Sequence, residues 1–234
     1  MSATAILLAA GSGSRMQGSV EDKILANISG KPVFIYSIQT FLSAGVVNRF
    51  EIVYRDETQR EQLSAAIESI DVKNTKISYT RGGKERQDSV FEALLAQDAD
   101  CQQVYIHDCA RPLVGKQNLL DLASALAKSR AVVLAHKVSD TIKRVPDSID
   151  QPVELEDLDR RRLWAMETPQ AFDYQTILTA YQMVKDRGET VTDDTAAAAR
   201  LGIDCLIVAN PSPNPKITTP ADLAYIEWYY RSQK

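Results

Sequence analysis

Short apolar runs alternate with longer amphipathic stretches along this chain, and few architectures accept that order. Residues 3–9, 50–54, 76–79, 104–107, 131–135, 163–167 and 205–208 have the length of strands, most of them apolar enough to be covered on both faces. Residues 32–42, 57–70, 88–96, 119–127, 173–185, 194–201 and 220–230 read as helices. Leu63, Ile67 and Ile70 recur at helical spacing, and Pro32 suits a first helical turn. The alternation predicts an α/β fold: a Rossmann-like, mostly parallel sheet with helices on both faces. The 234 residues suit one domain over 1–234, and 44% hydrophobic content supplies a core.

The pattern changes over about 137–162. This stretch is charged, carries Pro146 and Pro152, and lacks a helical period. Long structureless loops are uncommon inside compact domains. The expectation is an extended β-arm that leaves the body to meet a partner subunit.

Charge and cysteine usage narrow the function. A net charge of -4 gives no general attraction to nucleic acid or to an anionic membrane, so an anionic ligand needs a local basic cluster. Cys101, Cys109 and Cys205 are odd in number and lack CxxC spacing, which points to a reducing, cytoplasmic setting. No apolar run approaches the roughly 20 residues of a membrane helix, and the N-terminus has no basic leader.

After the first strand comes Ala9-Ala10-Gly11-Ser12-Gly13-Ser14-Arg15-Met16. Glycines let backbone N–H groups approach a ligand closely, and such a concavity suits phosphate. Arg15 adds a rigid cationic fork, and Lys23 adds a mobile ammonium. A tight strand-to-helix turn with solvated charges explains the same residues. The dinucleotide fingerprint is incomplete because Met16 stands at its third glycine, and no GxxxxGK[ST] segment occurs.

Eight segments together are more specific: LAAGSGSRM, ISGKPVF, GGKERQDSV, HDCARP, DTIKR, DRRRLWAMETPQAF, TDDTAAA and NPKITTPADL. In this order they resemble the sugar-nucleotidyltransferase superfamily and, within it, the 2-C-methyl-D-erythritol 4-phosphate cytidylyltransferase family. The likeness runs from about Ala3 to Tyr230. It implies transfer of CMP from CTP to methylerythritol phosphate, with pyrophosphate leaving. It also implies Mg2+ or another divalent cation and a homodimer joined through the arm.

The resemblance carries roles to particular residues. Ala9, Ala10, Gly11 and Gly13 would wrap the triphosphate, and Arg15, Lys23 and Lys216 would be the catalytic cations. Gly83, Arg86 and Ser89 match the cytosine-recognition segment; read alone, Ser89 fits a helix-start hydroxyl with no ligand better. Asp108 ends a strand, where open α/β sheets bind ligands, and would meet the metal or the nucleotide. Arg111, Thr141, Arg160 and Thr168 match residues that bind the methylerythritol phosphate. His107 reads as an orienting or core residue, Cys109 as packing, and Thr192-Asp193-Asp194 as a helix opening with a structural cap. Asp22 stands where the family usually has proline, so an acid adjoins Lys23; Lys84 stands where aspartate is common. Ribitol 5-phosphate cytidylyltransferase shares the nucleotide segments and is the nearest rival. A nucleotide-binding protein without turnover and a dinucleotide oxidoreductase are more distant ones.

Overall fold

The structure is a computed structural model that describes residues 2–11, 13, 16, 21–148 and 151–233. Its frame is a seven-stranded sheet built from β1 (Ser2–Leu8), β4 (Arg49–Tyr54), β5 (Lys76–Arg81), β6 (Cys101–Asp108), β7 (Ala131–Lys137), β10 (Trp164–Asp173) and β11 (Leu206–Ala209). The spatial order is β11-β7-β10-β6-β1-β4-β5. Strands β6, β1, β4 and β5 run parallel, as do β7 and β11, and β10 lies antiparallel between β6 and β7. The expected mostly parallel sheet is therefore present.

Alternation along β1 explains why it is apolar throughout. Ala3, Ala5 and Leu7 face one core and Ile6 faces the other. The first core is closed by α1 (Val33–Ala44), α2 (Glu57–Glu68), α4 (Lys116–Leu126) and α7 (Pro220–Ser232), through residues such as Phe41, Leu63, Leu122 and Ile226. The second is closed by α3 (Arg86–Leu95), α5 (Tyr174–Asp186) and α6 (Asp194–Arg200), through Leu94, Ile177 and Ala197. Helices thus cover both faces.

Several boundaries differ from the sequence reading, β6 beginning at Cys101 and α4 at Lys116 among them, and two others have a clear local cause. β10 does not stop at Glu167 but continues to Asp173. Pro169 has no N–H to give the ladder, and the strand accommodates it with a register irregularity between Met166 and Gln170. Helix α3 begins at Arg86, two residues early, because the Asp88 carboxylate accepts the Glu85 N–H at 3.0 Å and closes the first turn.

Residues 138–148 and 151–162 leave the sheet as a largely exposed arm. Lys143–Arg144 (β8) pairs antiparallel with Glu156–Asp157 (β9), and Arg160–Arg162 form a 3-10 turn. A second small pair, Asn27–Ile28 (β2) with Lys31–Pro32 (β3), leads into α1.

Candidate active site

The carboxyl ends of β1, β4 and β6 open onto a cavity of about 470 Å³. Ala9, Ala10, Gly11 and Gly13 line it, as do Lys23, Gly83, Arg86, Ser89, Asp108 and Lys216. Ten of the residues that sequence reasoning assigned to nucleotide or catalysis thus meet at one place. Arg15 lies outside the described residues. Arg55, Lys84, Glu85 and Thr218 also line the cavity. Arg55 escaped the sequence reading, although its place just past an apolar strand end is a usable signal.

Charge is concentrated here. Lys23, Arg55, Lys84, Arg86 and Lys216 line the cavity against Glu85 and Asp108, on a chain whose net charge is -4. The local excess of cations suits an anionic ligand.

Asp108 sits at the centre of this field. Its Oδ2 accepts from Lys216 Nζ at 2.6 Å, and its Oδ1 accepts from Arg86 Nε at 3.3 Å. Burial alone would raise its carboxyl, but Arg86, Lys216 and Arg111 outweigh burial and hold it well below the usual carboxylate range. Arg86 is gripped from behind. Its two terminal nitrogens donate to Asp194 at 2.9 and 2.7 Å, and Tyr181 donates to the same carboxylate at 2.6 Å. Asp194 is fully buried. The helix opening at 192–194 therefore divides its labour. Asp193 is the cap, accepting the Ala196 N–H at 2.8 Å, while Asp194 anchors Arg86. The sequence held the signal: residues 194, 197, 198 and 201 form one helical stripe with Ala197, Ala198 and Leu201, which places Asp194 on the inner face.

Lys216 is delivered by a strapped segment. Asn214 donates to Glu167 Oε2 at 3.0 Å and to the Thr168 carbonyl at 3.1 Å. The Ile217 N–H reaches the Ala110 carbonyl at 2.8 Å, and Lys23 Nζ donates to the Ile217 carbonyl at 2.9 Å. The two lysines are thereby tied together across the cavity. Arg111 donates to the Asn214 carbonyl at 2.7 Å. Its Nε is buried and finds no hydrogen-bond partner, and Arg111 stands behind the cavity lining. Burial pushes its guanidinium down.

The Gly82-Gly83 turn fits because it lacks side chains. A Cβ on Gly82 would stand 2.8 Å from Ala10 Cβ, and one on Gly83 would stand 2.4 Å from Asp88 Cβ. Ser89 Oγ accepts the Gly83 N–H at 3.1 Å and donates to the Glu85 carbonyl at 3.1 Å, so it fixes this turn while lining the cavity. Asp22 does not draw Lys23 away. Its carboxylate is taken by Ile24, Gln59 and Arg55.

Thr168 is buried and stands outside the lining. Its hydroxyl accepts the Asp108 N–H at 3.0 Å and lies 3.1 Å from His107 Nδ1. His107 is fully buried, with Ser37 Oγ 3.0 Å from its Nε2, and burial pushes it down to about 4. It is a neutral core residue. Cys109 is buried as well, and burial pushes its thiol up. Thr141 and Arg160 are exposed on the arm and do not line their own chain's cavity; Arg160 donates to the Ser139 carbonyl at 2.6 Å.

A cavity at a sheet's carboxyl edge, lined by glycines, several cations and a carboxylate, defines a nucleotide-handling α/β enzyme. Comparison with known proteins makes this specific. The family model described as 2-C-methyl-D-erythritol 4-phosphate cytidylyltransferase matches residues 3–232. A protein of that name from Caldanaerobacter subterraneus subsp. tengcongensis is 36% identical over 237 residues, covering 99% of this chain and 100% of its own. Another from Shouchella clausii is 36% identical over 228 residues, covering 97% and 96%. The solved 4-diphosphocytidyl-2C-methyl-D-erythritol synthase of Anaerococcus prevotii superposes with a TM-score of 0.84 at 28% identity, covering 98% of each chain. This chain belongs to the 2-C-methyl-D-erythritol 4-phosphate cytidylyltransferase family and is a CTP-dependent cytidylyltransferase.

Proposed function

We propose that this enzyme joins CTP and 2-C-methyl-D-erythritol 4-phosphate in the cavity at the carboxyl ends of β1, β4 and β6, as a step of isoprenoid biosynthesis. A phosphate oxygen of the acceptor attacks the α-phosphorus of CTP. The bond from that phosphorus to the bridging oxygen breaks, and pyrophosphate leaves with the electron pair. The nucleophile is already ionised, so no general base is required, which agrees with a buried neutral His107. The observation that carries this reading is the convergence of Lys23, Arg86 and Lys216 on one lining with Asp108.

The barrier in such a transfer comes from charge on the phosphoryl oxygens and leaving group, and preorganised cations lower it. Lys216 rests on Asp108 and is placed to turn to the α-phosphate. Lys23 and Arg15 serve the β- and γ-phosphates, and the backbone of Ala9, Ala10, Gly11 and Gly13 cradles them. Gly83 and Ser89 bound the base, and Arg86, held by Asp194, keeps Asp108 in place.

A magnesium ion fits this donor set. Mg2+ takes one or two carboxylates, with phosphate oxygens and water completing its shell. Asp108 is the carboxylate that would hold it, and the ion would neutralise phosphate charge. Among the described residues no group of three or more His, Cys, Asp or Glu side chains is placed to cage a metal, so phosphate oxygens and water would have to complete the shell around Asp108.

Thr141 and Arg160 serve the acceptor of a second copy in a homodimer, with Arg111 and Thr168 on the near side. What supports this is their exposure on an arm that also displays Ile142, Val145 and Leu155 to solvent. The enzyme works in the cytoplasm; its three cysteines are unpaired, and among the described residues no helix is long and apolar enough to cross a membrane.

Pyrophosphate release from CTP and Mg2+ with methylerythritol phosphate or ribitol 5-phosphate tests the reading. Turnover with the first and little with the second is expected. A preference for ribitol 5-phosphate, or release with neither, would overturn it.

A further inference from the structure

Helix α2 is a surface helix, yet one of its side chains reaches into the active-site frame. Gln59 is 1% exposed. Its Oε1 accepts the Arg55 N–H at 2.7 Å, just past the end of β4. Its Nε2 donates to the Ala9 carbonyl at 3.0 Å and to Asp22 Oδ2 at 2.6 Å. Both amide hydrogens are used, in two directions fixed by one plane.

What those bonds hold is specific. Ala9 lines the cavity and leads into Ala10 and Gly11, which line it too. Asp22 passes the restraint onward, because its Oδ1 accepts the Ile24 N–H at 3.1 Å. The carboxylate therefore spans Lys23, gripping the backbone on one side from the residue on the other. Arg55 Nη1 reaches the same Oδ2 at 3.3 Å. Gln59 is itself set by the helix cap, since its N–H donates to Asp56 Oδ1 at 2.9 Å.

A lysine ammonium ends a flexible stem, so its usefulness to a transition state depends on where its backbone is held. Errors near 1 Å from outside the reacting atoms cost about 10²-fold in rate. We infer that Gln59 is a positioning residue for the transfer reaction, acting through Asp22 to place Lys23 and through the Ala9 carbonyl to place the loop. This rests on the role proposed above for Lys23.

The test is a double-mutant cycle read by single-turnover pyrophosphate release, with CTP, methylerythritol phosphate and Mg2+. Gln59→Ala is expected to slow turnover about 10-fold or more, a fraction of the 10²-fold positional cost, and to leave the KM for methylerythritol phosphate unchanged. Gln59→Glu places a carboxylate against Asp22 and is expected to be slower still. In a Lys23→Ala background the Gln59→Ala change is expected to lose most of its effect. Where Gln59→Ala fails to fold, Asp22→Asn completes the same cycle with the same expectation. Unchanged turnover in Gln59→Ala, or an equal fold-loss with and without Lys23, overturns the inference about Gln59 alone. Full turnover in Lys23→Ala by itself overturns the reading beneath it as well.

Discussion

Among the described residues, two clusters of ionised side chains each centre on a buried carboxylate, Glu51 in one and Asp194 in the other, and they differ in what they face. On β4, Arg49 pairs with Glu51 at 2.6 Å and with Asp98 at 2.9 Å, and Lys76 joins Asp98 at 2.7 Å. Ser78 and Thr80 donate to Glu51 at 2.8 and 2.7 Å. Cations and carboxylates balance there, and none of these residues lines the active-site cavity. In the other cluster Asp194, Arg86, Asp108 and Lys216 alternate in sign, and the chain ends on a lysine whose side chain is 34% exposed at the cavity. Lys23, Arg55 and Lys84 stand on the same lining. A buried ion pair is thus not a marker of function in itself. Surplus charge of one sign turned toward a cavity is.

That contrast can be broken most forcefully at its two buried carboxylates. Asp194→Asn and Glu51→Gln each remove a buried carboxylate's charge from an arginine that it pairs, and each is expected to cost about 3 kcal/mol in urea unfolding. Only Asp194→Asn should also slow turnover of the folded enzyme, because only its arginine holds Asp108. Equal turnover in both variants would erase the distinction.

A smaller effect concerns His107, the neutral neighbour of the site cluster. Burial pushes it down to about 4, below its ordinary value near 6.5. The unfolded chain therefore binds the extra proton first, and stability falls as pH drops from about 6.5 toward 4. His107→Gln should flatten this slope, by about 2 kcal/mol between pH 7 and pH 5. An unaltered slope would mean that His107 is not held neutral.

The smallest expected effect lies on the arm. Arg160→Ala should raise the KM for methylerythritol phosphate roughly tenfold, the scale of one lost charged hydrogen bond. It should leave CTP binding and urea stability unchanged. A rise in the KM for CTP instead would move Arg160 from the acceptor to the nucleotide.

Much of this was readable from residue order, for identifiable reasons. Apolar runs of strand length specify a two-sided sheet, and the glycine loop and HDCARP segment fall at carboxyl ends of strands because that is where β1 and β6 terminate. The continuation of β10 past Pro169 was hidden, since a proline in a strand pattern argues for an end and the irregularity that absorbs it depends on the neighbours β6 and β7. The Asp194–Arg86 grip joins residues 108 positions apart, and no local pattern specifies its partner. Gln59 was silent for the same reason: a glutamine on a polar helix has no sequence signature until Ala9 and Asp22 are folded against it.

The account stands on Lys216 leaving Asp108 for phosphate during transfer. Single-turnover pyrophosphate release by Lys216→Ala at saturating CTP tests it most directly. A loss of about 10²–10³-fold in rate, with urea stability and CTP affinity little changed, is the predicted result. A rate equal to that of the unmodified enzyme would contradict it.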